Sequence, residues 1–530
     1  MLKKILKNPW VFAIIITTVY FAINLILTLN HEPYLDEAHS WLYAKNLSIP
    51  QLFSVLKADG HPPLFYIILM PFAKIGLPYI TLNIITLVIT TLAILLLVRY
   101  APFPRWLRIL VAFSPAFTYF LPAFGRDYCL AALGFVLVCV TYKNRSTRPI
   151  PYAASIALLF QTHVITAAPA GLLTLLFIFE QAKSKRITPK FIASICIIIL
   201  SFVALALPLL GSLGTHGLVG NPSWEGDNIA QIFQLLFGNN LIVTILLLVF
   251  AIFLILFLSQ YSKQAIVLGV STATFLIISE YIYALTKSQQ VAILLLLFLW
   301  AYWTIHYETI SSNRVTRLFY KLEIIKLIFC TIVHQTKQKS VKLAVIMSLP
   351  FILSTPNLVY WAQKDLFYRF SLSKDAAQYI NQNLPPGSTI ITGNERVPAL
   401  SVIPYLQGNR IIWDVLTEQE KKYMTFGHDT YRVLSYNHIS QTIYNYFGGQ
   451  DDVYYIVLAL SVDTDGNPIL NERPSVQSKN YFNQLELLWE LSDSHTGGSG
   501  IYGESYIAIY KIPPNFQPTN TTQTPQKEVP

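Results

Sequence analysis

Between residues 31 and 41 the chain reads His31-Glu32-Pro33-Tyr34-Leu35-Asp36-Glu37-Ala38-His39-Ser40-Trp41, a dense run of ionisable side chains. Neighbours on a helix diverge by about 100°, so Asp36 and Glu37 cannot share one task, and Asp36 faces the same way as His39 and Ser40. A carboxylate here acts as a general base or a metal ligand. Alternatively, Asp36 caps an amphipathic surface helix that seats Trp41 and Leu42 in a membrane interface. In Asp59-Gly60-His61-Pro62-Pro63 the prolines bias His61 toward an extended backbone and stiffen the presentation of its ring. The plainer version is a loop entering an interfacial helix, with proline in the first turn. Gly125-Arg126-Asp127-Tyr128 offers a guanidinium that suits a phosphate oxyanion, or equally one that pairs with an Asp carboxylate to tie helices together. His163, in Gln161-Thr162-His163, sits at a helix end as a cavity-lining or a structural group. Trp224-Glu225-Gly226-Asp227 presents an indole that stacks on a sugar or anchors at an interface.

The elements that hold these groups follow from composition. In 530 residues only 12% are charged and 53% are apolar, against about 25% charged in a soluble protein. No single soluble core hides that much apolar surface. This is a polytopic α-helical membrane protein. The net charge of +10 does not point to nucleic acid, because it is divided by region. Residues 1–361 hold 26 Lys and Arg against 11 Asp and Glu, whereas residues 362–530 hold 12 against 17. The cysteines Cys129, Cys139, Cys196 and Cys330 suggest neither a disulfide framework nor a zinc site. No ligand spacing is diagnostic of a metal, and use of a divalent cation stays open.

About 20 apolar residues cross a bilayer as a helix. That length predicts about eleven spans, near 10–29, 79–98, 106–122, 128–142, 150–163, 164–180, 191–210, 240–259, 265–286, 289–306 and 343–361. The first, behind Lys3, Lys4 and Lys7, is expected to be an uncleaved transmembrane helix rather than a signal peptide. The segment 61–78 is ambiguous, and the positive-inside rule arbitrates. If it does not cross and the N-terminus is cytoplasmic, 21 of the 26 cations of residues 1–361 fall inside. If it crosses, the basic clusters 99–108, 143–148 and 183–190 move outside. The first arrangement is preferred, with residues 30–78 as a first outer loop carrying juxtamembrane helices. The run Leu322–Val333, with Lys326 inside it, reads as an interfacial helix. Seven of the eleven acidic residues of the membrane half, Glu32, Asp36, Glu37, Asp59, Asp127, Glu225 and Asp227, then lie on the outer face. Such clustering suggests a site at the outer interface rather than a path through the midplane.

Residues 362–513 change character. Ser373 opens a short capped helix stopped by Leu384-Pro385-Pro386-Gly387. Strand-like runs follow at Thr389–Thr392, Arg410–Trp413, Val453–Leu460 and Tyr506–Ile512. The alternation predicts a small extracytoplasmic α/β domain, and the Pro-, Thr- and Gln-rich tail 514–530 is expected to be disordered.

Taken together, these elements resemble the glycosyltransferase-C superfamily, specifically its family 39-like bacterial branch of protein O-mannosyltransferase and aminoarabinose-transferase relatives. The resemblance rests on Asp36-Glu37 in the first outer loop, Pro62-Pro63-Leu64-Phe65, Arg126-Asp127-Tyr128 and Thr162-His163, and covers about residues 1–230. It implies transfer of a sugar from a polyprenyl-phosphate donor to a hydroxyl acceptor outside the cytoplasm, with inversion. It further implies that Asp36 takes the acceptor's proton, that Glu37 supports the loop or a metal, and that Arg126 stabilises the departing phosphate. His163 would line the same cavity, with His61, Asp127 and Tyr128 in the substrate-binding set. The residue types agree, since attack by a hydroxyl needs a base on one side of the anomeric carbon and charge stabilisation on the other. A plasma-membrane location follows from the lipid donor. The alternative from another class is a transporter or lipid flippase, against which stands the lack of visible internal repeats. A scaffold displaying the C-terminal domain leaves Asp36, His61 and Arg126 unexplained.

Overall fold

The structure, a computed structural model, describes residues 8–59, 61–212, 227–258, 261–282, 285, 287–308, 341–392, 400–423, 436–459, 484–492 and 506–518. It divides into two compact units. One is built on Met1–His31 and Leu47–Phe367, the other on Glu32–Asn46 together with Tyr368–Gly498 and Tyr502–Pro530. The segment 30–78 is therefore split, and the helix bearing Asp36 groups with the C-terminal residues.

The first unit is helical and membrane-embedded. Among the described residues seven helices are long and apolar enough to cross a bilayer: Pro9–Asn30, Thr81–Tyr100, Val164–Lys183, Pro189–Gly211, Ser262–Tyr281, Ser288–Tyr307 and Leu343–Phe367. An eighth crossing would combine Asn228–Phe237 with Leu241–Ile255, which meet at 101°. The bend has a local cause. Gly238 takes φ +74°, and Asn357 donates its side-chain amide to the carbonyls of Gln234 and Leu235, ending the first helix.

Other predicted spans are shorter or interrupted. Tyr128–Tyr142 has 15 residues, about 22 Å of helix against a hydrocarbon core of roughly 30 Å, and Pro149–Phe160 has only 12. The run 106–122 breaks into Arg105–Ala112 and a π-helical turn Ala116–Phe120. Pro115, which lacks an N–H, stands at the break. The Tyr20 hydroxyl donates to the Phe117 carbonyl there. The segment Leu322–Val333 lies outside the described residues.

The helix Ser288–Thr304 runs through the centre, buried along nearly its whole length and packed against Tyr128–Tyr142 and Ser262–Tyr281. At one end of the unit a charge network joins two connections and two helix ends. Arg145 bonds Glu180 and Glu308 at 2.7 Å each, while Lys263 reaches Glu180 at 2.5 Å and Glu308 at 3.0 Å. Arg126 and Asp127 precede the opposite end of the Tyr128–Tyr142 helix, about 22 Å away by helical rise.

A second polar staple joins the first and last long helices. His31 Nδ1 lies 2.9 Å from Asp365 Oδ2, with side chains 0% and 2% exposed, and Phe124 packs edge-on against the imidazole. Removing one member of so buried a pair strands the other. His31→Ala is expected to cost about 3–5 kcal/mol and to lower the melting temperature in detergent. An unchanged melting temperature would show that the pair is not a staple.

The second unit carries a six-stranded sheet: β1 Thr389–Thr392, β2 Ile411–Asp414, β3 Gln419–Glu420, β4 Val453–Ala459, β5 Glu486–Ser492 and β6 Tyr506–Lys511, in the order β3-β2-β1-β4-β6-β5. The β2-β1-β4 core is parallel and the remaining pairings are antiparallel. Side chains alternate between two cores, as the two-residue strand period requires. Ile390, Ile412, Tyr454 and Ile507 pack with Ala376 and Ile380 of the helix Ser373–Asn383. On the other face, Ile391, Trp413, Tyr455 and Ala508 pack with Ile439 and Ile443 of the helix Tyr436–Phe447. The result is an α/β sandwich around one sheet. Ser373 is the first helical residue rather than the cap, and its hydroxyl bonds Ser401 at 2.7 Å. Arg410 ends that helix by donating to the carbonyls of Ile380, Leu384 and Pro385.

Candidate functional site

In the membrane unit His61, Arg126, Asp127, Tyr128 and His163 converge although 102 residues separate the first from the last. His61 precedes the helix Leu64–Lys74, with Pro63 at its N-cap. Arg126 follows the irregular stretch after the π-helical turn, where Asn83 donates to the Ala123 carbonyl at 2.8 Å and the Arg126 amide bonds Phe124. The broken helix thus sets the guanidinium at the N-terminal end of the Tyr128–Tyr142 helix, beside His61.

The polar contacts define protonation states. Arg126 Nη2 lies 3.1 Å from His61 Nε2, and a guanidinium only donates, so Nε2 accepts when His61 is neutral. His61 Nδ1 then carries the proton, 3.1 Å from the Asp59 carbonyl and 3.6 Å from its carboxylate. Tyr66 fixes that carboxylate by donating to Oδ2 at 3.2 Å. The His163 ring meets His61 edge-on at 5.2 Å and stacks on Tyr128 at 4.9 Å. Its Nδ1 accepts from the Ile165 amide at 3.3 Å, which leaves the neutral ring's proton on Nε2. His163 thereby has a local capping task and keeps a second nitrogen for a ligand.

Asp127 is 3% exposed, and neither carboxyl oxygen has a hydrogen-bond partner among the described residues. Burial pushes its pKa up, against the pull of His61 and Arg126. An orphaned buried carboxyl beside two basic groups suits a hydroxyl-rich ligand that donates to it. Burial alone would depress the His61 pKa, but Asp59 outweighs it and holds the value above the usual one for histidine.

These facts give a pH dependence with a definite sign. Protonated His61 cannot accept from Arg126, so two cations then stand side by side, and that charge is lost as pH rises through the raised pKa. Affinity of this cluster for a singly charged anion whose own charge is constant over the range, such as a sulfate monoester, is expected to fall roughly five- to tenfold between about pH 6 and 9. His61→Gln should flatten the curve; parallel curves for variant and parent would contradict this role.

The acid pair belongs to the other unit. The helix Leu35–Asn46 begins after Tyr34, whose amide donates to Glu37 Oε2 at 3.0 Å. Glu37 is fully buried, so it is the capping acid, whereas Asp36 is partly exposed and accepts from the Tyr34 hydroxyl at 3.1 Å. His39 is buried against Tyr43 at 4.0 Å. Sequence reading missed the capping role of Glu37, for which an acid at the third helical position is the signal.

Scans against protein-family models and curated proteins find no match. Among the described residues no group of three or more His, Cys, Asp or Glu is placed to hold a metal ion. Trp224 and Glu225 lie outside the described residues. Asp227 starts the helix Asp227–Phe237.

Proposed function

We propose that this chain is a membrane glycosyltransferase of the glycosyltransferase-C type, moving a sugar from a polyprenyl-phosphate donor to a hydroxyl acceptor with inversion. The observation that carries the reading is the buried cluster at the N-terminal end of the Tyr128–Tyr142 helix. It holds a buried guanidinium hydrogen-bonded to an imidazole, beside an orphaned carboxyl and a second imidazole with a ring nitrogen left over. The guanidinium, joined by His61 as a second cation when that ring is protonated, suits a phosphate leaving group. The carboxyl and His163 Nε2 suit sugar hydroxyls.

In the reaction, Asp36 removes the proton from the acceptor hydroxyl and the acceptor oxygen bonds the anomeric carbon from the face opposite the phosphate. The bond between that carbon and the phosphate oxygen breaks, and its electron pair leaves with the polyprenyl phosphate. Arg126, with protonated His61, stabilises the charge gained by that phosphate. The proton held by Asp36 passes to water afterwards. Glu37, by its position, shapes the loop rather than touching substrate.

The proposed setting is the plasma membrane, crossed about eleven times, with the N-terminus cytoplasmic and the α/β unit outside. The lipid donor's chain then stays in the bilayer while its head reaches the site. The separation of the Arg145–Lys263 network from the Arg126 end supports that orientation, since inner loops gather cations.

The test is reconstitution with a panel of synthetic polyprenyl-phosphate sugars and hydroxyl acceptors, following release of free polyprenyl phosphate. Acceptor-dependent release supports the reading. Absence of release across the panel, with saturable solute uptake into the same vesicles, would replace it with a transporter.

A further inference from the structure

The segment Glu32–Asn46 is some 320 residues from the C-terminal residues in sequence but shares their packing. Five contacts fasten it along its length. Glu32 Oε2 accepts from the Ser371 amide at 3.3 Å, and the Tyr34 ring lies edge-on to Phe370 at 5.6 Å. Leu35 and Leu42 pack with Leu400 and Ile403. The Tyr43 ring meets Tyr423 at 5.8 Å, and Asn46 donates to the Lys422 carbonyl at 3.0 Å. Both ends and the middle of the helix are thus seated on the α/β unit.

Tyr34 stands where these contacts meet the acid pair. Its ring rests on Phe370, its amide is held by Glu37, and its hydroxyl donates to Asp36 Oδ2. The backbone of the same residue starts the helix, with its carbonyl accepting from the amides of Glu37 and Ala38. The Tyr34 ring thus touches Phe370 and, through its hydroxyl, the Asp36 carboxylate.

We propose that the α/β unit is the holder of the proposed base, with Tyr34 as the positioning residue through which Phe370 orients Asp36. This rests on the assignment of Asp36 as the base and gives the C-terminal unit a task in the reaction itself. The other ionisable groups of the segment are Glu32, Glu37, His39, Tyr43 and Lys45, with Lys422 and Tyr423 on the domain side; none changes in the variants below.

The test needs no substrate. In purified full-length protein, carbodiimide labels a carboxyl in its protonated form, and peptide mass spectrometry follows the label at Asp36 against pH. Removing the hydroxyl in Tyr34→Phe keeps the ring but takes a donor from the carboxylate, which favours protonation. The labelling midpoint should move up by about one pH unit, so that labelling above it is roughly tenfold faster. Phe370→Leu should move the midpoint in the same direction by a smaller amount, at an unchanged melting temperature for the rest of the fold. An unmoved midpoint in Tyr34→Phe overturns the positioning role. A moved midpoint there with none in Phe370→Leu overturns the role of the α/β unit. Retained sugar transfer in Asp36→Asn would instead remove the base assignment, and the labelling results separate that failure from this one.

Discussion

Asp36→Asn is expected to lower sugar transfer by at least about 100-fold while the protein stays folded. The amide occupies the carboxylate's volume and still accepts from Tyr34, but it does not take a proton from a hydroxyl. The fold survives because the helix is capped by its neighbour: Glu37 Oε2 holds the Tyr34 amide. Glu37→Ala should show the opposite pattern. It removes a fully buried cap, costs about 1 kcal/mol or more, and lowers the melting temperature. Melting curves and polyprenyl phosphate release on the two variants separate the roles. Unfolding of Asp36→Asn with a stable, inactive Glu37→Ala would exchange them.

Arg126→Ala is the second large effect, expected at about 100- to 1000-fold in transfer. The guanidinium meets His61 at 3.1 Å, so its removal takes away the main cation and frees the imidazole it orients. Asp127 is left as a buried carboxyl with less positive charge near it, which works against any phosphate. Arg126→Lys should recover part of the activity, because a point charge remains but the planar fork that matches a phosphate is gone. Comparable activity in Lys and Ala variants would mean that charge at this position does not matter to the reaction. The measurement is initial rate at saturating acceptor with the lipid donor varied.

Four strands were legible because Val, Ile and Tyr crowd into short runs: Thr389–Thr392, Ile411–Asp414, Val453–Ala459 and Tyr506–Lys511 lie within a residue or two of the sequence expectation. The edge strand Glu486–Ser492 was not. It carries Glu486 and Glu490, is largely exposed, and has a register shift between Leu487 and Trp489, so it leaves no clean alternation. Long apolar helices were legible by length. The interruption of 106–122 was not, since hydropathy runs on through Ser114 and Pro115; the proline was the available signal. For the site, the individual residues stood out by charge in apolar surroundings. What they touch did not. The His61–Arg126 bond spans 65 positions and the His31–Asp365 pair 334, and no local pattern encodes such partners. The seating of Glu32–Asn46 on the C-terminal unit was hidden for the same reason, because contact across some 320 residues is a property of packing.

The most direct measurement weighs the lipids retained by gently purified protein, by native mass spectrometry, beside Asp36→Asn and Arg126→Ala. The account predicts a bound polyprenyl phosphate or its glycoside, kept in Asp36→Asn and lost in Arg126→Ala, with the added mass naming the sugar. A protein that holds no such lipid even after undecaprenyl phosphate is supplied, or one that holds it equally well without Arg126, would contradict the account.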